Sequence, residues 1–192
     1  MNADASTKRP GGRSTHLRAA VHSAAVALVG EFGADQVALP AVAQRAGINS
    51  STLYRRWGTL AALLADVAKH RSDAGAPPLV GDLRTDLENQ ALWTLTELSR
   101  PGGIAFFRAE VAPDVDERHD GLRECLRRVS ERFRPVLDAA RERGDAPPSL
   151  EQVLDRIVAP LYFRVVFSIP GTDEAYVRDL VAELPGKLQP EL

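Results

Sequence analysis

Three hydroxyl residues, a phenol and two guanidiniums fall within seven positions of one another in the run Ser50-Ser51-Thr52-Leu53-Tyr54-Arg55-Arg56. Small hydroxyls at the start of a helix, with cations beyond the next turn, suit phosphate oxygens and base edges in a DNA groove. Bond-making chemistry has little support elsewhere. His119 and Cys125 lie six residues apart, off the spacing of three or four that puts two side chains on one helical face. There is no nucleophile elbow, phosphate-binding glycine loop, H-E-x-x-H or C-x-x-C. Asp114, Asp116, Glu117, His119 and Asp120 form the one cluster that suggests a metal. Acidic residues at a helix start are favoured by the helix dipole alone, so neither metal nor cofactor is expected. Cys125 reads as a small buried hydrophobe, and His16, His22 and His70 have no partner pattern. The expectation is a binding protein, not an enzyme.

The flanking sequence supplies elements that could hold such a helix in a groove. Leu17, Val21, Ala24, Leu28 and Phe32 recur at helical steps, with Ser14 or Thr15 to cap the start and Gly33 to end the helix. Leu39 to Ala46 predict a second, short helix, with Pro40 in its first turn and Gly47 closing it. Ile48 fills the turn, and Asn49 or Ser50 caps a third helix reaching Trp57. Gly58 breaks the chain, and Thr59 caps a fourth helix that buries Leu60, Leu63, Leu64 and Val67. Two short helices joined by a tight glycine turn and braced by longer ones form a helix-turn-helix. Ala43, Ile48 and Leu53 are spaced to pack the short helices together, which leaves Ser50, Ser51, Thr52, Tyr54, Arg55 and Arg56 facing outward.

The stretch Val42-Ala43-Gln44-Arg45-Ala46-Gly47-Ile48-Asn49-Ser50-Ser51-Thr52-Leu53-Tyr54-Arg55-Arg56-Trp57, followed by Leu63-Leu64, resembles the DNA-binding signature of the tetracycline-repressor (TetR) family. Ala24-Ala25 and Glu31-Phe32-Gly33 fit that family's first helix. The likeness covers Leu17 to Val67; past Val67 it gives only a layout. It implies an all-α chain of about nine helices, with an N-terminal three-helix DNA-binding domain and a C-terminal helical bundle. It further implies a cytoplasmic transcriptional regulator, a homodimer that represses from a palindromic operator and is released by a small-molecule effector. Candidate DNA contacts are Arg13, Arg18, Gln44, Ser50, Ser51, Thr52, Tyr54, Arg55, Arg56 and Thr59.

The chain departs from the family pattern at two places. Ala38-Leu39-Pro40 stand where Ser or Thr usually opens the second helix, and Leu60 follows Thr59 where Lys is frequent. Lys8, Arg9 and Arg13 are candidates to restore phosphate charge from the N-terminal arm. Two other readings stay open: an effector-independent architectural DNA-binding protein, or a helical carrier or enzyme with a vestigial motif.

Composition agrees with these expectations. The 192 residues, 44% hydrophobic and 26% charged, suffice for one or two globular domains. Abundant Ala and Leu with only 6% aromatic residues favour helices over sheets. A single cysteine precludes an internal disulfide and agrees with a reducing cytosol. The longest uncharged stretches, such as Ala19 to Gly30, are too short and polar to span a bilayer, and the N-terminal residues have no apolar signal region. The net charge of −2 hides an asymmetry. Residues 1–71 hold nine basic residues against four acidic ones, and the remainder holds 15 basic against 22 acidic. A basic first third joined to an acidic remainder points the first third at a polyanion.

Ser72 to Pro78 is rich in turn-formers, so the expected domains are 1–71 and 72–192. Five helices are predicted in the second: Asp82–Ser99, Ile104–Val111, Asp116–Arg143 with a kink at Pro135, Ser149–Ser168 with a Ser149/Gln152 capping box, and Thr172–Leu188. Leu122, Leu126, Val129, Phe133, Leu137 and Ala140 form the expected buried stripe of the third. The last two carry a wide apolar band, and Leu154, Ile157, Leu161, Val165, Tyr176, Val177, Leu180, Val181 and Leu184 are dimer candidates. On that reading, glutamates at Leu161 and Leu180 would separate the copies without unfolding them. Trp93, Phe106, Phe107, Phe133, Tyr162 and Phe163 are candidate walls of a ligand pocket, with Arg108, Arg164 and His119 to orient a polar group.

Overall fold

The computed structural model describes residues 11–73, 75–111 and 120–184. Among them the fold is all α. The helices are α1 (Gly11–Phe32), α2 (Leu39–Ala46), α3 (Ser50–Trp57), α4 (Leu60–Asp73), α5 (Leu83–Ser99), α6 (Gly103–Val111) and α7 (Asp120–Glu142). Helix α8 consists of three consecutive pieces, Leu150–Val153, Leu154–Val158 and Ala159–Val166, and α9 spans Glu174–Ala182. A single 3₁₀ turn, Ala34–Gln36, links α1 to α2. The chain divides into two compact units between Leu63 and Leu64. That division falls inside α4, whereas the turn-rich segment after Arg71 begins where the helix runs out.

In the first unit α1 packs on α2 and α2 on α3. Val21, Ala24, Ala25, Leu28 and Val29 of α1 close over Leu39, Val42, Ala43 and Leu53. Phe32, the last residue of the expected apolar stripe, is 58% exposed, because α1 ends there and its final turn has left the core. Ala38 precedes α2 and supplies no side-chain cap, as its methyl group dictates. Gly47 ends α2 at φ 67°, ψ 33°, and the Ile48 N–H donates to the Ala43 carbonyl at 3.0 Å. That left-handed corner is what glycine alone adopts without cost, and it turns the chain straight into α3.

Helix α5 is central to the second unit and touches α6, α7, α8 and α9. Its start is heavily pinned. The Asp82 carboxylate caps it by accepting from the Thr85 N–H at 2.8 Å and hydroxyl at 2.6 Å, and these donors hold the Asp82 pKa below its ordinary value. Buried Asp86 accepts from the N–H groups of Val80 and Gly81, and Gln90 Nε2 donates to the Pro77 carbonyl. The segment predicted as a linker is therefore fastened to α5. Leu83, Leu87, Ala91 and Leu95 pack with Val129, Phe133, Val136, Leu137, Ala140, Val153, Ile157, Leu161, Val177, Val181 and Leu184 in one core.

Two local features of α8 follow directly from residue type. The Ser149/Gln152 capping box forms, with both reciprocal hydrogen bonds present. Pro160 has no N–H to offer the Arg156 carbonyl and crowds it, so the preceding five residues open into a π-helical turn in which Ala159 N–H reaches back to Leu154. Asp173, not Thr172, caps α9, accepting from the Tyr176 N–H. The Thr172 hydroxyl is spent instead on the Ile169 carbonyl and Arg164.

Two expectations are corrected by burial. Leu122 and Leu126 are exposed, lining an open groove with Phe107 of α6 and Leu154 of α8 in place of a closed core. Ile157, Leu161, Val177, Val181 and Leu184 are buried inside the protomer, so they build its own core and present nothing to a second copy. Leu161→Glu should therefore unfold the second unit, at a cost of several kcal/mol for an unpaired buried charge, instead of yielding a folded monomer; loss of cooperative melting followed by circular dichroism would show it.

The α5–α6 corner leaves no room for a side chain at Gly103. A Cβ on Gly103 would stand 2.3 Å from the Leu98 carbonyl oxygen and 2.6 Å from that of Glu97. Both are helix backbone and cannot yield. Gly103→Ala should destabilise the protein by about 1–3 kcal/mol through this overpacking, seen as a lower midpoint in urea with an unchanged slope.

Candidate nucleic-acid interface and ligand cavity

Helix α3 is short and amphipathic, with a simple inside. Leu53 is fully buried beneath it, while Ser51, Tyr54, Arg55 and Arg56 are exposed and Ser50 and Thr52 half-buried. Asn49 is the N-cap, its Oδ1 accepting from the Ser51 N–H and the Ser51 hydroxyl, each at 2.9 Å. The Thr52 N–H donates to the Asn49 carbonyl at 3.0 Å, and the positive end of the helix dipole at this terminus favours anions. Tyr54 is 51% exposed, and neither its phenol nor the Arg55 guanidinium has a polar partner among the described residues.

The other candidate contacts differ in availability. Arg56 turns back, its Nη1 donating to Ser14 Oγ at 3.3 Å and its guanidinium lying 5.0 Å from the Trp57 ring centre. Trp57 in turn meets His22 of α1. Thr59 Oγ1 accepts the Ala62 N–H at 3.1 Å and so caps α4. Gln44 is exposed on α2, and Arg18 is half-buried on α1. Arg13 lies in the first turn of α1, where only the backbone is described; Lys8 and Arg9 lie outside the described residues. Arg45 is clamped to Glu31 by two hydrogen bonds, which lower the glutamate pKa. The basic count of the first unit thus overstates the charge it can offer.

The second unit holds a cleft among α4, α5, α6, α7 and α8. Its cavity volume is about 70 Å³, it opens to solvent on one side, and its lining includes Ala68, Arg71, Trp93, Thr94, Glu97, Phe106, Phe107, Arg132 and Tyr162. Of the aromatic candidates, Trp93, Phe106, Phe107 and Tyr162 come together here. Phe133 is fully buried in the core behind it and Phe163 is 58% exposed on α8, so neither lines the cleft. Arg108 is exposed, and Arg164 is engaged by Pro170, Thr172 and the Tyr176 ring at the α8–α9 turn. His119 lies outside the described residues, as does most of the acidic cluster around it.

Sequence reasoning missed the polar half of this lining. Arg71 Nη2 donates to Glu97 Oε2 at 3.3 Å, and Arg100 takes Glu97 Oε1 at 3.0 Å. The Arg132 guanidinium lies 3.9 Å from the Trp93 ring centre, and burial pulls its pKa down. Tyr162 meets Phe107 edge to face at 5.1 Å, and burial pushes its phenol pKa up, which keeps it protonated. The Cys125 thiol is likewise raised by burial, which suppresses its thiolate. The signal was present: Thr94 is a polar residue on the buried face of α5, and Arg132 interrupts the apolar stripe between Val129 and Val136. Polar residues at core spacing mark a lined cavity or a buried network.

No group of three or more His, Cys, Asp or Glu side chains among the described residues could hold a metal ion. None of the helices described is long and apolar enough to cross a membrane.

Comparison with known proteins assigns both units. Residues 22–67 match the family model "Bacterial regulatory proteins, tetR family", and residues 77–184 match "Tetracyclin repressor-like, C-terminal domain". The HTH-type transcriptional regulator AqdR of Rhodococcus erythropolis is 30% identical over 182 residues, covering 92% of this chain and 81% of that protein. YdeS of Bacillus subtilis (strain 168), another HTH-type transcriptional regulator, is 28% identical over 183 residues, covering 90% and 89%. The crystal structure of the TetR family transcription regulator SCO0332 superposes with a TM-score of 0.65 at 27% identity, covering 88% of this chain and 96% of that one. The helix-turn-helix, the helical second unit and matches that together run through most of the chain lead to one conclusion: this protein belongs to the TetR family of DNA-binding transcriptional regulators.

Proposed function

We propose that the protein is a cytoplasmic, non-enzymatic repressor that binds a palindromic operator as a homodimer and leaves it when a small molecule occupies the cleft of the second unit. The observation that carries the DNA-reading half is the outer face of α3. Asn49 fixes its start, Leu53 anchors it, and Ser51, Thr52, Tyr54 and Arg55 form the row that would enter the major groove. Arg55 and Tyr54 serve phosphates in this account. Ser50, Ser51 and Thr52, closest to the helix start, serve base edges, with Gln44, Arg13, Arg18 and Thr59 at the flanks.

In this reading the two copies meet on the outer side of α8. Phe163 and Phe167 are 58% and 66% exposed, their rings 4.7 Å apart, and Val166 beside them is also exposed. Adjacent phenylalanines in water cost free energy that a second copy would recover. Two-fold pairing puts the same patch on both subunits, which a symmetric operator requires. Leu154, Val165, Tyr176 and Leu180, which are only partly buried against the core, would border it.

A duplex carrying the inverted repeat from the DNA flanking the protein's own coding region tests this function. The repressor account expects a gel shift at nanomolar protein that a scrambled duplex does not give. Equal affinity for both duplexes would favour the architectural reading, and absence of any shift would refute both.

A further inference from the structure

The cleft in the second unit has an unequal supply of donors and acceptors. The carboxylate and the threonine hydroxyl in its lining are in use. Glu97 is held through one carboxylate oxygen by Arg71 and through the other by Arg100. The Thr94 hydroxyl donates to the Gln90 carbonyl at 2.8 Å and accepts from Arg132 Nη1 at 3.3 Å. A donor is left over: Arg71 Nη1 is buried and has no hydrogen-bond partner among the described residues. Leaving a charged donor unmatched is expensive, and natural sites with such a group are matched by what binds there. The charges point the same way, because two guanidiniums line the cleft against one carboxylate that a third guanidinium, Arg100, already shares.

The remaining walls are aromatic. Arg71 lies 5.1 Å from the Phe106 ring centre, which fixes its guanidinium plane, and Trp93, Phe107 and Tyr162 complete the enclosure. A cavity of roughly 150 Å³ is needed to hold a benzene ring. The 70 Å³ cavity is too small for that, so a ring can lie only along its open side. The fit is therefore a polar head in the cavity and a planar apolar body lying against the aromatic walls at its open side.

We infer that this cleft binds a small aromatic carboxylate, with the carboxylate accepting from Arg71 Nη1 and the ring seated among Trp93, Phe106, Phe107 and Tyr162. A carboxylate brings the acceptor and the negative charge that the cleft lacks, and a guanidinium is the side chain best shaped to receive it. A cationic or purely apolar ligand would leave Arg71 Nη1 unmatched. The inference rests on the proposed role of the second unit as an effector-binding domain and specifies the effector's chemistry.

Calorimetric titration of the full-length protein with benzoate, salicylate and phenylacetate, beside benzamide and benzylamine, tests it directly. The carboxylates are expected to bind, benzamide at least tenfold more weakly, and benzylamine not measurably. Arg71→Gln should reduce benzoate affinity tenfold or more and leave benzamide unchanged. Should that variant not fold, the benzoate–benzamide contrast in the wild-type protein still decides. Equal affinity for acid and amide, or no saturation by any of the three acids below about 10 mM, a limit corresponding to about −2.7 kcal/mol, would overturn the inference. The operator gel shift run in parallel separates this result from the role it rests on. Carboxylate binding without DNA release would sustain the ligand class and contradict the effector role. Release by benzamide or benzylamine but by none of the acids would sustain the role and overturn the ligand class.

Discussion

Phe163→Glu combined with Phe167→Glu is expected to give a folded monomer with operator affinity reduced a hundredfold or more. Both rings are more than half exposed in the protomer, so glutamate there costs the fold little, whereas two like charges facing their symmetry copies across a two-fold axis repel. Burying such a phenylalanine contributes about 1.5–3 kcal/mol, and a symmetric pair holds two copies of each ring. The DNA effect follows from linkage. Two tethered heads convert the second binding event into an intramolecular one and raise overall affinity by about 10²–10⁴. Sedimentation velocity would report the change of mass, and melting followed by circular dichroism would verify that the helices remain. A double variant that stays dimeric at micromolar concentration would move the interface away from the outer side of α8.

Arg55→Ala and Arg56→Ala should separate, although the two arginines are neighbours of the same type. Arg55 has no polar partner among the described residues, while Arg56 is held by Ser14 and stacked on Trp57. Removing a phosphate-bound cation lowers the slope of log affinity on log salt by about one and costs about tenfold in affinity. Arg55→Ala is expected to show both effects in fluorescence anisotropy titrations between 50 and 200 mM salt, the range over which such contacts are read. Arg56→Ala should leave the slope unchanged and lower thermal stability instead, since its contacts brace α3 against α1. Identical slopes for both variants would contradict the assignment of charge on α3.

The DNA-binding unit was largely legible because its sequence constraints are local. Gly47 must take a left-handed corner, Leu53 must fill the space beneath α3, and Asn49 must cap it. Each is a residue type at a fixed offset, and together they specify the turn. Phe32 was misplaced because helical spacing says which face a residue lies on, but not whether the core extends that far.

The second unit was harder for the same reason on a larger scale. Periodicity identified the inward face of α7 beyond Leu126, yet it could not distinguish a helix face buried within the protomer from one buried by a second copy. Leu161 and Val177 have the types and spacing of an interface and belong to the core, while Phe163 was assigned to a pocket and faces outward. The cleft was half legible. Its aromatic residues stood out by type, but Arg71, Glu97 and Arg132 meet only through the packing of α4, α5 and α7, which no spacing within one helix reveals. The π-helical turn of α8 was readable in principle from Pro160, a residue that cannot continue the hydrogen-bond ladder of a helix interior.

Hydroxyl-radical footprinting of the purified protein on the DNA flanking its own coding region tests the central claim most directly, because it reads sequence preference and symmetry together. The account predicts two protected half-sites forming an inverted repeat. Their centres should lie about 34 Å apart, or a multiple of that, since only whole helical turns present the same groove to both α3 helices. Uniform protection with no inverted repeat, or a single protected half-site that persists at saturating protein, would contradict it.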